Sequence, residues 1–137
     1  MAMKLTEFMT TKIEYIDPDA TVYDVVERMV DRRIRSLVVR SPNEKDGHGV
    51  ITARDVVFKV LAKGIDPSQM RADELASKPL FCIDEEASLV DALEVMEQHN
   101  VARIFVCQGG HIAGVVAMMD IMWAVLILRA RGGHVFR

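Results

Sequence analysis

The chain has 137 residues, half of them apolar, which is material for one compact domain or for two small halves sharing a core. Its 17 basic and 20 acidic side chains leave a net charge of −3, which gives no general pull toward nucleic acid or a membrane surface. The first ten residues include Lys4 and Glu7 and lack the continuous apolar core of a signal peptide. The most apolar stretch, Ile112 to Leu128, carries Asp120 in its middle, where a membrane span tolerates a carboxylate poorly. A soluble, cytoplasmic protein is expected. Cys82 and Cys107 lie far apart in apolar runs without metal-ligand spacing, and are expected to be small buried hydrophobes in a reducing compartment.

In chain order, the elements of the first half return in the second. Ile16, Asp17, Ala20, Asp24, Glu27, Met29 and Val39 recur 67 residues on as Ile83, Asp84, Ala87, Asp91, Glu94, Met96 and Val106. The register then slips by two, so that Gly49, Val50 and Asp55 match Gly114, Val115 and Asp120. The slip falls at the polar segment Ser41 to His48, whose shorter counterpart, Gln108-Gly109-Gly110-His111, favours a tight turn.

Each half opens on a lead-in, Leu5 to Thr10 or Ala72 to Ser77, followed by a short strand, Ile13 to Ile16 or Leu80 to Ile83. Thr21 and Ser88 are hydroxyl N-caps with a carboxylate three residues later, Asp24 and Asp91. Val22, Val25, Val26, Met29 and Val30 then fall on one helical face, as do Leu89, Ala92, Leu93 and Met96. A β-rich run follows in each half, Ser36 to Val39 or Ile104 to Val106. After the turn comes a third run, Gly49 to Ile51 or Ile112 to Val116, and a closing helix, Asp55 to Lys63 or Asp120 to Leu128. Gly64 and Pro67 end the first of these helices.

The fold class expected is therefore α/β (α+β). Two pseudo-symmetric motifs, 1–68 and 69–130, would each form a small, mostly antiparallel sheet with two helices and pack sheet to sheet. A tail, 131–137, released by Gly132-Gly133, is expected to be mobile. The last helix, Ile121 to Leu128, is apolar on every side and needs cover from a partner subunit.

The ordered pieces resemble the tandem CBS (cystathionine-β-synthase-type) pair, or Bateman module. They are Asp17-Pro18-Asp19-Ala20-Thr21-Val22, Arg35-Ser36-Leu37-Val38-Val39 and Gly49-Val50-Ile51-Thr52-Ala53-Arg54-Asp55 in the first half. In the second they are Asp84-Glu85-Glu86-Ala87-Ser88-Leu89, Ala102-Arg103-Ile104-Phe105-Val106 and Gly114-Val115-Val116-Ala117-Met118-Met119-Asp120.

The resemblance implies a sensing module with two clefts for adenosine-containing ligands. Thr52 and Asp55 would hold the ribose of one cleft, since a carboxylate accepts from two vicinal hydroxyls at once. Arg103 would meet phosphate, and Lys78, Pro79 and Ile83 would line the base. The second cleft would use Asp120, with Arg35, Ser36, Thr11, Lys12 and Ile16, but Ala117 stands where the ribose hydroxyl belongs. CBS pairs commonly dimerise through their closing helices, so a homodimer is expected, with an unidentified regulated protein as partner.

Thr52-Ala53-Arg54-Asp55 is also a well-formed capping box, and capping alone accounts for both residues. His48, His99, His111 and His134 have no partners at ligand spacing, so no metal site is expected. No nucleophile motif or glycine-rich phosphate loop points to an enzyme or a catalytic cofactor. The expected function is a sensor with an adenine nucleotide, AMP or ATP first, as regulatory ligand. S-adenosylmethionine and NAD belong to the same ligand class. A structural dimerisation module without a ligand is the alternative. Nucleic-acid binding through Arg32, Arg33, Arg35 and Arg40 is disfavoured by the net negative charge.

Overall fold

The computed structural model describes residues 4–41, 47–78 and 80–132. Of the expected loop, 41–48, residues 42–46 lie outside them, as do residues 133–137 of the expected tail, 131–137. Two compact units form, one of residues Ile13–Leu80 and the other of residues 4–12 with 81–132.

In Ile13–Leu80 the order is β1 (Tyr15–Ile16), α1 (Val22–Arg32), β2 (Ser36–Val39), β3 (Gly49–Thr52), α2 (Ala53–Asp55) and α3 (Ala72–Leu75). The sheet runs β1-β2-β3, with β1 parallel and β3 antiparallel to β2. Leu37 and Val39 alternate onto the face that α1 covers with Val22, Val25 and Met29, and Ile51, Val56 and Val60 complete that core. The closing helix departs from expectation. After one α turn it becomes a π-helix over Val56–Leu61, with Ala62 N–H donating to Val57 C=O at 2.8 Å and Ile65 N–H to Val60 C=O at 3.0 Å. Gly64, at φ +71°, then turns the chain. In the turn before α3, the Ser68 hydroxyl and then its N–H donate to Asp66, holding that carboxyl below its ordinary value.

The other unit repeats the plan with β4 (Cys82–Asp84), α4 (Leu89–His99), β5 (Arg103–Gln108), β6 (His111–Ala117) and α5 (Met118–Ala130). Its sheet order is β4-β5-β6 with the same parallel and antiparallel pairings. Gly109 and Gly110, at φ 55° and 85°, form the two-residue hairpin expected from the sequence. Leu89, Ala92 and Met96 of α4 pack on Ile104, Val106 and Val116.

Both first helices carry reciprocal caps. Thr21 Oγ1 accepts from Asp24 N–H at 3.0 Å and Ser88 Oγ from Asp91 N–H at 3.0 Å, and each carboxylate returns the bond. Both helices end on a left-handed residue, Arg33 (φ 53°) and Asn100 (φ 50°), of which asparagine adopts that conformation more readily.

The lead-ins explain where the units divide. Leu5 is buried in the core of α4, β5 and β6, while Ala72 and Leu75 are buried in the core of the first repeat. Each lead-in therefore joins the repeat it does not precede, and the units differ from uninterrupted halves at 1–68 and 69–130. The crossing is made at the free edge of each sheet. Thr10 and Val115 exchange two backbone hydrogen bonds of 2.9 Å, and Ser77 and Val50 two of 3.0 Å. Glycine is required beside each bridge. A Cβ on Gly114 would meet Met9 Sδ at 2.6 Å and Thr10 O at 2.9 Å, and one on Gly49 would meet Ala76 Cβ at 2.9 Å.

The cysteine expectation is corrected. Cys82 is exposed and Cys107 half-buried, and the two are joined by a disulfide with a Cα–Cα distance of 5.7 Å. Ile83, Ile104 and Val106 point into the core, so strand alternation turns Cys82 and Cys107 to the opposite face, where parallel pairing makes them neighbours.

Gly49→Ala and Gly114→Ala should each lower stability by about 1–3 kcal/mol, because backbone as well as side chain must move. Urea unfolding measures this. A loss below about 0.5 kcal/mol would show that the lead-in yields without consequence.

Candidate functional site

The candidate site is the junction where the last strand of each unit becomes a helix. In Ile13–Leu80, Thr52 ends β3 directly opposite Ser36 on β2, and Ala53 N–H donates to Arg35 C=O at 2.9 Å. Arg35, Ser36, Thr52 and Asp55 are thereby gathered at one end of the sheet. Thr52 Oγ1 accepts from Asp55 N–H at 3.1 Å, and Asp55 Oδ2 accepts from Thr52 N–H at 2.9 Å. The second carboxylate oxygen, Oδ1, pairs with Lys59 Nζ at 3.1 Å. The Asp55 side chain is 15% exposed and that of Lys59 59% exposed, so a carboxylate sits half-sheltered beneath an exposed cation. Lys59 was not singled out from the sequence, although its i,i+4 spacing from Asp55 is a legible signal.

The second junction is built alike. Ala117 ends β6 opposite Arg103 on β5, and Met118 N–H donates to Ala102 C=O at 3.1 Å. Asp120 Oδ2 accepts from Ala117 N–H at 2.8 Å. Here the return bond is missing, because alanine has no acceptor, and Ala124 occupies the place of Lys59. The backbone is nevertheless the same, at φ −106°, ψ 168° for Ala117 against φ −106°, ψ 160° for Thr52.

The remaining expected site residues are divided between the two units. Ile16 is a core residue paired with Val39, at the end of its sheet away from Ser36 and Thr52. Ile83 pairs with Val106 and packs on the core of its unit. Thr11 and Lys12 are exposed just beyond the Thr10 bridge. Lys78 is paired with Asp73, and Pro79 lies outside the described residues. Thr52, Asp55 and Lys78 belong to one unit, Ile83, Arg103 and Asp120 to the other.

Sequence reasoning also missed a cavity of about 420 Å³ on the outer side of α1, lined by Tyr15, Asp17, Asp24, Glu27, Arg28 and Arg40 among others. Its signal was the polar stripe opposite the apolar one on the same helix. Among the described residues no three His, Cys, Asp or Glu side chains cluster as a metal ion requires, and no helix is long and apolar enough to cross a membrane.

Two similar α/β units, each closing on a strand that passes into a carboxylate-capped helix, define a repeated small-module class. The family model described as the CBS domain matches residues 5–62 and 72–127, and the chain belongs to the CBS-domain family. It is 31% identical over 115 residues to hypoxic response protein 1 of Mycobacterium tuberculosis, covering 84% of this chain and 80% of that protein. A crystal structure of Hypoxic Response Protein I with two coordinated zinc ions superposes with a TM-score of 0.74 at 30% identity, over 88% of this chain and 98% of that one. The hexameric CBS-CP12 protein from bloom-forming cyanobacteria superposes at 0.84 with 32% identity, over 90% of this chain and 68% of that one. A CBS-domain protein of unknown function from Thermoplasma acidophilum, 19% identical with a TM-score of 0.81 over 98% of this chain and 79% of that one, shares the fold.

Because Ala117 holds N-cap geometry without an acceptor, Ala117→Thr should complete the box and raise stability by about 0.5–1 kcal/mol. A shift of the urea midpoint at unchanged slope measures it. An unchanged or lowered midpoint would show that the second junction has no room for a hydroxyl.

Proposed function

We propose that the chain is a stand-alone regulatory module that senses an adenine nucleotide, or another adenosyl ligand, and signals to a partner protein without itself catalysing a reaction. The observation that carries this reading is the Thr52–Asp55 junction. There a hydroxyl and a half-sheltered carboxylate meet at a helix start, in the positions where the CBS resemblance puts ribose contacts. The carboxylate suits the role: vicinal ribose hydroxyls would donate to Asp55 Oδ1 in place of Lys59. Exposed ion pairs of that kind contribute only about 0–1 kcal/mol, so the exchange costs little. Arg103 would meet phosphate where the ligand carries one. AMP and ATP are the first candidates, with ADP, S-adenosylmethionine and NAD in the same class, and a cytoplasmic setting suits such ligands.

A second reading, a dimerisation module with no ligand, draws on a specific observation too. Both Asp55 oxygens already have partners within the chain, so capping and the Lys59 pair account for the residue unaided.

Thermal unfolding in the presence of each ligand at millimolar concentration separates the two. A ligand at about 100 times its Kd adds roughly 2.7 kcal/mol, a midpoint rise of several degrees. The rise should vanish in Asp55→Ala, vanish in Arg103→Ala for the phosphate-bearing ligands, and persist in Asp120→Ala. If none of the five ligands moves the wild-type midpoint, the sensing reading fails for this class. Equal stabilisation of wild type and Asp55→Ala would remove Asp55 from the site.

Self-association is the other part of the proposal. Helix α5 exposes Met118, Met119, Met122, Trp123, Val125 and Leu126, with Trp123 and Leu126 each at 60%. Apolar faces of this extent usually meet another surface, and we assign α5, with the exposed Val57, Phe58 and Leu61 of the π-helix, to a homodimer contact. Analytical ultracentrifugation should show a dimer for the wild type and a folded monomer for Trp123→Glu/Leu126→Glu. A monomeric wild type at tens of micromolar would overturn it.

A further inference from the structure

We propose that the Cys82–Cys107 disulfide is a redox-responsive clasp, a surface modification site that exchanges with small-molecule thiols and sets how firmly strand β4 is held to β5. It goes beyond ligand sensing and stands without it.

The clasp sits where the sheet is weakest. Strand β4 is three residues long and lies at the edge of its sheet. It is flanked by two backbone bonds, Phe105 N–H to Phe81 C=O at 3.1 Å and Glu85 N–H to Cys107 C=O at 3.2 Å. Cys82 faces Phe105 across the ladder, so Cys107 is its diagonal neighbour, and the Cα–Cα distance of 5.7 Å lies in the range a disulfide spans. Cys82 is exposed, so a thiolate in solution can reach its sulfur, and exposed disulfides are the labile, regulatory kind.

The other repeat shows what this place needs. The positions equivalent to Cys82 and Cys107, 67 residues earlier, are Tyr15 and Arg40. Tyr15 faces Val38 as Cys82 faces Phe105, and the Arg40 guanidinium lies over the Tyr15 ring, 4.8 Å from its centre. The same diagonal is thus clasped in both repeats, by a cation–π contact in one and by a covalent bond in the other. The fold accordingly has no general need of a covalent bond here, and only one of the two sheets answers to a reductant. Reduction should loosen β4 without unfolding its unit. The core of Leu5, Leu89, Ala92, Met96, Ile104, Val106 and Val116 makes no use of either sulfur, and Phe81, just before β4, stacks on His99 with ring centres 4.1 Å apart.

The exchange balances with a small thiol such as glutathione as reductant. A thiolate attacks Cys82 Sγ, forming a mixed disulfide and releasing the Cys107 thiolate, which takes up a proton. A second thiolate attacks the small-molecule sulfur of that mixed disulfide, releasing the Cys82 thiolate to be protonated and a small-molecule disulfide. Two electrons and two protons have then passed to the protein from two thiols.

The test equilibrates the full chain in buffers of varied reduced-to-oxidised glutathione ratio, alkylates free thiols and counts them by intact mass. The expected result is no alkyl group in the oxidised protein and two in the reduced one, with a cooperative thermal transition in both. Hydrogen exchange is then measured on both forms and on Cys82→Ser/Cys107→Ser. The Phe105 and Glu85 amides should exchange several-fold faster in the reduced protein and the variant than in the oxidised protein, while Val38 and Arg40 on the other sheet should not change. Two alkylated thiols in the air-oxidised protein would overturn the proposal. So would thiols released only on denaturation, or equal exchange at Phe105 and Glu85 in oxidised and reduced protein.

Discussion

The close backbone approach beside Gly49 and Gly114 is the constraint on which both units depend. A three-stranded sheet with one long helix leaves an edge unpaired and a core uncapped. The lead-in segments remedy both at once, bridging β3 and β6 through Ser77 and Thr10 while burying Leu75 and Leu5. A side chain at either glycine would hold the bridge off, so two small residues permit the chain to exchange lead-ins between its repeats. The compact units are therefore not uninterrupted halves of the sequence.

The candidate site inherits its position from that frame. Because β3 and β6 are fixed along their length, the residues that follow them, Thr52 and Ala117, start a helix at the same backbone geometry. Each presents a carboxylate three residues on. A capped helix start is an economical way to hold a carboxylate in place and partly sheltered, so the bonds that stabilise the helix would also serve the proposed binding role. The two purposes diverge at the second junction, where Asp120 keeps its bond to the backbone but has neither a hydroxyl nor a lysine beside it.

The repeats differ in just the features that would make their responses unequal. One closes on a π-helix and carries Thr52, Asp55 and Lys59. The other closes on a regular helix with an apolar outer face and carries the disulfide. A two-fold repeat keeps its core because packing tolerates few changes, and it diverges where side chains meet solvent. The Tyr15–Arg40 and Cys82–Cys107 pairs illustrate that division, since each lies on the face its own core does not use.

Local interactions were legible without the structure. The amphipathic stripes of α1 and α4, their reciprocal caps, the Gly109-Gly110 hairpin and the order of strands and helices follow from spacing along the chain, because the contacts involved are a few residues apart. The capping box that gathers Thr52 and Asp55 was legible for the same reason, and Lys59 was legible though passed over. Contacts between distant residues were not. Nothing in the order of residues says that Leu5 is buried with Leu89, that β4 lies parallel to β5 and turns Cys82 toward Cys107, or that Arg40 covers Tyr15. Apolar character around the cysteines suggested burial, but strand alternation gives one face to the core and the other to whatever lies outside it. Sequence periodicity thus determined the elements and their faces. Only the tertiary structure decided which elements meet, because pairing across a sheet depends on the whole chain's closure and not on any local spacing.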